Sequence, residues 1–195
     1  MNKRMWRKMQ RRQSTAGFTL LEMLVLMIII GVLFAIAAPG WDAIISRQRV
    51  STAREQVVQV IRQAQSEART SKTPRLVVFD PNPNGVPRVA HVPFPTTDPR
   101  PSLPLNLNNV GNWRILGNGD IKRGAIQMTS TSPSQIVIES DGSIAQPPTV
   151  NASQPANFTI TISRANAPGD GTKRCAIVAT LLGAIRQAEG SSCNI

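Results

Sequence analysis

From Phe18 to Ala38 the chain is apolar at almost every position, and Glu22 is the one charged residue in the run. That length meets the roughly 20 residues a helix needs to cross a ~30 Å hydrocarbon core. A helix also satisfies its own backbone hydrogen bonds, as lipid demands. The pattern predicts a transmembrane helix over 18–39. Beyond Pro39 the apolar positions thin to spacings of three and four, at Trp41, Ile44, Ile45, Ala53, Val57, Val60, Ile61, Ala64 and Ala68. Arg, Gln, Ser and Glu fill the gaps, which predicts an amphipathic helix over 40–72. A coiled coil is the weaker reading, because the spacing keeps no strict heptad. Pro39 and Gly40 mark a kink between the halves, since proline removes one backbone hydrogen bond and crowds the preceding turn.

Thr73-Pro74 ends the helical pattern. Short β-branched runs follow at 75–79, 88–92, 113–116, 125–128, 135–140, 158–163 and 174–182, separated by turn residues. Ser140-Asp141-Gly142-Ser143 between Ile138 and Ile144 reads as a tight turn with a return strand. Phe158-Thr159-Ile160-Thr161-Ile162 alternates as a half-buried antiparallel strand does. Prolines and asparagines dominate 80–112, which predicts a long surface loop with at most one short strand. The fold class is α+β: a long N-terminal helix, transmembrane then amphipathic, packed on an antiparallel β-rich domain over 73–195.

Charge decides which way the apolar run faces. Lys3, Arg4, Arg7, Lys8, Arg11 and Arg12 precede it with no acidic residue among them. Basic flanks stay cytoplasmic, so the N-terminus is expected inside and the chain after Pro39 outside. A cleaved secretory signal shares this order, and Ala35-Ile36-Ala37-Ala38 imitates its cleavage site. The apolar run is longer than the ~7–15 residues of such a signal, however.

The junction before the run is more specific. Gly17-Phe18-Thr19-Leu20-Leu21-Glu22 resembles the processing site of type IV prepilins and type II secretion pseudopilins, and Gly31 and Pro39 extend the likeness. The resemblance implies that residues 1–17 are a leader removed by a membrane-embedded prepilin peptidase, which methylates the new N-terminal Phe18. It further implies assembly with other pilins or pseudopilins through the N-terminal helix, on an inner-membrane assembly platform. The expected location is the inner membrane, single-pass in lipid, with a periplasmic C-terminal domain that later joins a pilus or pseudopilus.

Glu22 sits one turn inside the membrane boundary, where a carboxylate is costly and is functional by default. Cleavage before Phe18 exposes an amine with a reference pKa of ~7.7–8.0. The resemblance casts Glu22 as the counter-charge to a neighbouring subunit's amine, setting axial register. The alternative is a tolerated Glu that snorkels or is protonated.

The formal charge of +11 suggests a nucleic-acid binder until it is located. Removing the six basic leader residues leaves +5, an ordinary solubility charge. Tyr is absent, while 13 Gly and 15 Pro suit short strands joined by loops. Cys175 and Cys193 lie in the part expected outside the cytoplasm, where they form a candidate disulfide. Two free thiols remain the alternative, since bridging needs Cα atoms within ~7 Å.

No catalytic constellation, metal site or cofactor site is present in the pattern. His91 is the one histidine, flanked by Val89-Ala90 and Val92 as a strand residue is. There is no Cys-x-x-Cys and no phosphate-binding glycine loop. Gly117-Asn118-Gly119-Asp120 lacks the further acidic ligands of a calcium loop and reads as a turn. The glycosylation patterns at Asn151 and Asn157 mean little in an envelope protein of bacterial type.

From 135 to 193 the order of strand, Asp-Gly turn, alternating strand and Gly-containing return resembles the GspH/FimT family of minor pseudopilins, which has the pilin-like fold. Some members take part in DNA uptake through a basic pair after a C-terminal glycine. Here Gly183-Ala184-Ile185-Arg186 puts Ala184 at the first basic position. Lys173, Arg174 and Arg186 are therefore weak candidates for DNA contact, since phosphate binding needs several cations on one face. The expected function is structural, as a minor pilin or pseudopilin in a type IV pilus or type II secretion system. A DNA-uptake subunit is the alternative, and an anchored enzyme is less favoured.

Overall fold

The helix starts where its sequence supplies a cap. In the computed structural model, which describes residues 17–94, 110–130, 134–145, 158–165, 169–178 and 182–193, helix α1 spans Leu20–Ser71. The basic stretch before Gly17, residues 95–109 of the proline-rich loop, the Asn151 glycosylation pattern, Asn157 and residues 179–181 lie outside the described residues. The backbone stays helical through Pro39 and Gly40. The chain divides into two units, Met1–Asp42 and Ala43–Ile195.

In the first unit, large apolar side chains from Leu20 to Ile36 are exposed on every face of the helix. An all-round apolar helix is made to be covered. Among the described residues no helix is long and apolar enough to cross a membrane.

In the second unit, α1 continues as one stripe of core residues at spacings of three and four. Val50, Ala53, Val57, Val60, Ile61, Ala64 and Ala68 are all buried. The stripe begins later than the sequence pattern suggests, because Trp41 and Ile44 are 69% and 63% exposed. Two four-stranded antiparallel sheets receive it. The first is built of β1 (Arg75–Asp80), β2 (Arg88–Pro93), β3 (Arg114–Ile115) and β5 (Gln135–Ile138), in the order β3-β2-β1-β5. The second is built of β4 (Ile126–Ser130), β6 (Phe158–Arg164), β7 (Arg174–Val178) and β8 (Ile185–Glu189), in the order β4-β6-β7-β8.

Alternation sorts each strand onto two faces. Val77 and Phe79 of β1 join the helix core, while Leu76 and Val78 join a second cluster with Ala90, Phe94, Val110 and Val137. The first sheet is thus apolar on both sides. In the second sheet Ile160, Ile162, Ala176 and Val178 meet the helix core, and Cys175, Ile177 and Cys193 form a third cluster on the opposite face.

Strand β6 is buried on more than the one face its alternation predicts. Thr159 and Ser163 are 4% and 5% exposed, because β6 lies inside its sheet and the far face is also occupied. Gln127 donates across the strands to the Ser163 hydroxyl at 3.1 Å, which satisfies one of these polar groups. The run 174–182 divides at the return, with β7 ending at Val178 and a separate strand β8 following Gly183.

Two turns are held from the last part of α1. Gln65 Nε2 donates to the Gly183 carbonyl at 2.8 Å, and Arg69 Nε donates to the Asp141 carbonyl at 2.9 Å. Gly183 has φ +77°, and a side chain there would press on Gln65 and the Gly142 carbonyl. The Asp141-Gly142 turn forms as expected, closed by Gly142 N–H donating to the Glu139 carbonyl at 2.8 Å. Its return is limited to a single Ile138–Ile144 bridge.

Candidate functional site

Gly17, Phe18 and Thr19 precede the helix in non-helical backbone. The Thr19 hydroxyl accepts the Glu22 N–H at 3.2 Å, and the Thr19 carbonyl accepts the Met23 N–H at 3.2 Å. Thr19 is therefore the N-cap and Glu22 the third helical residue, the spacing of a capping box. The sequence reading missed Thr19. Its signal was present, because Ser or Thr three residues before Glu and just ahead of an apolar run is a helix-start pattern.

The cap also changes the energetics of Glu22. A carboxylate in the first turn faces the positive end of the helix dipole, which offsets part of its cost in an apolar setting. Glu22 and Phe18 are both exposed. Around Gly17 there is open space, and a Cβ built there meets nothing within 4 Å.

Residues 12–38 match the prokaryotic N-terminal methylation motif. The chain thus carries the signal at the site where the cap, the apolar helix and Glu22 meet. No curated protein matches the sequence. Among solved structures the chain is similar to the minor pseudopilin EpsH of the type 2 secretion system of Vibrio cholerae. The identity is 13% and the TM-score 0.47, covering 72% of this chain and 97% of that one. It is also similar to the type IV minor pilin FimU of Pseudomonas aeruginosa, at 14% identity and a TM-score of 0.46, covering 73% and 90%.

The second candidate region lies on β7 and β8. Cys175 and Cys193 are bridged, with Cα atoms 5.7 Å apart, and the bond closes the C-terminal turn Gly190–Cys193 onto the outer face of the sheet. Arg174 and Arg186 do not share a face of the sheet. Arg174 stands opposite Ile162, on the helix side, where its Nε lies 3.1 Å from Glu189 Oε1. Arg186 stands opposite Ile177, on the other side of the sheet. Lys173 lies just before β7.

Glu189 has a further task, because the same oxygen lies 3.4 Å from an Arg54 guanidinium nitrogen. The Arg54 side chain is 8% exposed, so this helix cation enters the core edge and is matched from the sheet. One carboxylate thereby ties α1, β7 and β8 together.

His91 is part of a structural link. Its Nε2 lies 3.2 Å from Glu67 Oε1 on α1, and the same oxygen accepts from Gln63 Nε2 at 3.0 Å. Arg75 stands 3.7 Å from the other oxygen. Burial pushes the Glu67 carboxyl up, but the Gln63 hydrogen bond and the His91 and Arg75 charges outweigh it and hold the group below its ordinary value of 4.5. A depressed carboxyl stabilises the fold above its unfolded pKa and loses that contribution as pH falls through the folded value. Glu67→Gln should therefore lower stability modestly at about pH 6 and hardly at all at about pH 3. Urea unfolding of both proteins at the two pH values measures it. An equal deficit at both would show that the charge is not what matters.

The Gly117-Asp120 stretch is a turn, with Gly117, Asn118 and Gly119 all at positive φ and Asp120 N–H donating to the Gly117 carbonyl at 2.9 Å. Gly117 N–H in turn donates to Gln56 Oε1 of the helix at 2.6 Å. Among the described residues no group of three or more His, Cys, Asp or Glu is placed to hold a metal ion.

Proposed function

We propose that this chain is a minor pilin or pseudopilin, a structural subunit made as a prepilin. Residues 1–17 form the leader, residues 18–39 cross the inner membrane, and residues 40–72 carry the globular domain of 73–195 outside. Prepilin peptidase cuts between Gly17 and Phe18 and methylates Phe18. The mature subunit then joins other pilins or pseudopilins from an assembly platform, with Glu22 setting its register and Pro39-Gly40 the place where the helix adapts. The filament is a type IV pilus or the pseudopilus of a type II secretion system.

The observation that carries this reading is the methylation motif over 12–38, continuous with a helix whose apolar side chains are exposed on all sides. Such a surface has to be covered by lipid or by neighbouring apolar helices. Exposed Trp41 and Ile44 extend the uncovered surface past Pro39. A DNA-contact role finds less support, because Arg174 is committed to Glu189 and Arg186 is on the opposite face.

The test is processing in a host carrying prepilin peptidase. Intact mass of membrane-extracted protein should give a chain that begins at Phe18 and is one methyl group heavier than the unmodified peptide. Gly17→Arg should leave the full-length chain uncut. That residue meets open space in this chain, so the change acts on recognition and not on folding. A mature chain starting elsewhere, or wild-type processing of Gly17→Arg, sinks the proposal.

A further inference from the structure

We infer that Thr19 is a positioning residue for processing, acting as the helix stop that holds the Gly17–Phe18 peptide bond in non-helical backbone. The inference rests on the prepilin reading above and adds to it a determinant at the third residue of the junction. Hydrolysis breaks the Gly17 carbonyl carbon–Phe18 nitrogen bond. Water supplies the hydroxyl of the new Gly17 carboxylate and the hydrogen that completes the Phe18 amine. A protease binds its substrate extended, so that the backbone N–H and C=O groups beside the scissile bond are free to pair with the enzyme. Inside a helix the backbone is wound rather than extended, and the carbonyls beside the bond are paired along the axis.

In this chain the scissile bond lies next to a long apolar helix that has every reason to grow. Leu20 and Leu21 are strong helix formers, and each residue added to an existing helix gains a backbone hydrogen bond without a new nucleation cost. Growth by one turn toward the N-terminus would wind Phe18 and Gly17 into the helix. Two features stand against that. The Thr19 hydroxyl accepts the Glu22 N–H at 3.2 Å, a bond made with Thr19 in the non-helical conformation of an N-cap. Gly17, Phe18 and Thr19 are all outside the helix, which starts at Leu20. Gly17 adds a weak breaker of its own, and its open surroundings leave the bond approachable from that side.

Removing the cap shifts the population toward wound forms by the strength of an N-cap, a factor of roughly five. The apparent affinity of an enzyme falls with the populated fraction of its competent state, so by at most that factor. The experiment uses the full chain in membranes that contain prepilin peptidase, with the initial rate of conversion to mature chain followed by intact mass. Thr19→Val keeps the shape and removes the hydroxyl. It should be cut up to roughly fivefold more slowly while its membrane level is unchanged. Thr19→Ser and Thr19→Asn differ from Thr in shape but cap well, and both should be cut at the wild-type rate.

The outcomes separate cleanly. If Thr19→Val is cut as fast as wild type, the cap does not position the bond. If Ser and Asn are as slow as Val, the enzyme reads the threonine side chain directly, and the positioning role is again wrong. If wild-type protein is not cut at Gly17–Phe18 at all, the prepilin reading itself has failed.

Discussion

Glu22→Gln protein is expected to be inserted, cut after Gly17 and methylated, yet to be nearly absent from filaments. The change keeps the side chain's shape and the backbone N–H that Thr19 accepts at 3.2 Å, so the helix start is preserved. What it removes is a charge held in an apolar surface, among exposed Leu20, Leu21, Met23 and Leu24. On the proposed reading, packing of such helices side by side draws the Phe18 amine of one subunit out of water, where it needs a counter-ion. Leaving one member of a buried ion pair alone costs about 3 kcal/mol or more, roughly a hundredfold in an assembly constant. A Glu that is merely tolerated behaves in the opposite way, since neutralising it removes a membrane penalty. Cysteine crosslinking between N-terminal helices of this protein and its co-subunits reads incorporation directly. Crosslinking at the wild-type level in fully processed Glu22→Gln protein would show that the carboxylate does not set register.

Breaking the Cys175–Cys193 bond should have the largest effect on the globular unit. The bridge joins residues 18 apart in sequence, and in the chain-entropy model a loop of that size stabilises by ~3 kcal/mol. At this size of domain that is a fall in melting temperature of roughly 10 °C. The physical loss is more than loop entropy. The bond holds Cys193 over Ile177 and Ala188, and the turn it anchors follows directly on Glu189. Loosening that turn weakens the carboxylate shared by Arg54 and Arg174, which leaves Arg54 with Glu55 and Ser51 on its own helix. Thermal unfolding of the full chain in detergent, with and without reductant, measures the effect, and Cys175→Ser/Cys193→Ser should match the reduced protein. An unchanged midpoint would mean that packing alone holds the C-terminus.

Periodicity made much of this architecture legible. Apolar residues at spacings of three and four placed the core stripe from Ala53 to Ala68, because one helix face must meet the sheets wherever the chain folds. Turn chemistry placed the Asp141-Gly142 reversal, where Gly142 takes φ +85°. Other elements were out of reach for identifiable reasons. The burial of Thr159 and Ser163 follows from their being in an interior strand with its far face covered, and no local pattern encodes which strand is interior. β8 carries Arg186, Gln187 and Glu189 among few apolar residues, so its pairing with β7 supplies the strand that its own pattern does not announce.

At the N-terminus almost everything is local. The junction Gly17-Phe18, the cap from Thr19 to Glu22 and the apolar helix each depend on residues within one or two turns, and a linear pattern carries them completely. The C-terminal half depends on which residues meet across sheets. Sequence shows that Cys175 and Cys193 exist, and only the fold brings their Cα atoms to 5.7 Å. Lys173, Arg174 and Arg186 are weak candidates for DNA contact on sequence alone. Antiparallel register turns Arg174 toward the helix and Arg186 away from it, because side chains alternate across a sheet. The partnership of Arg54 with Glu189 joins residues 135 positions apart, a contact that no window of sequence contains and that the packing of α1 on the second sheet creates.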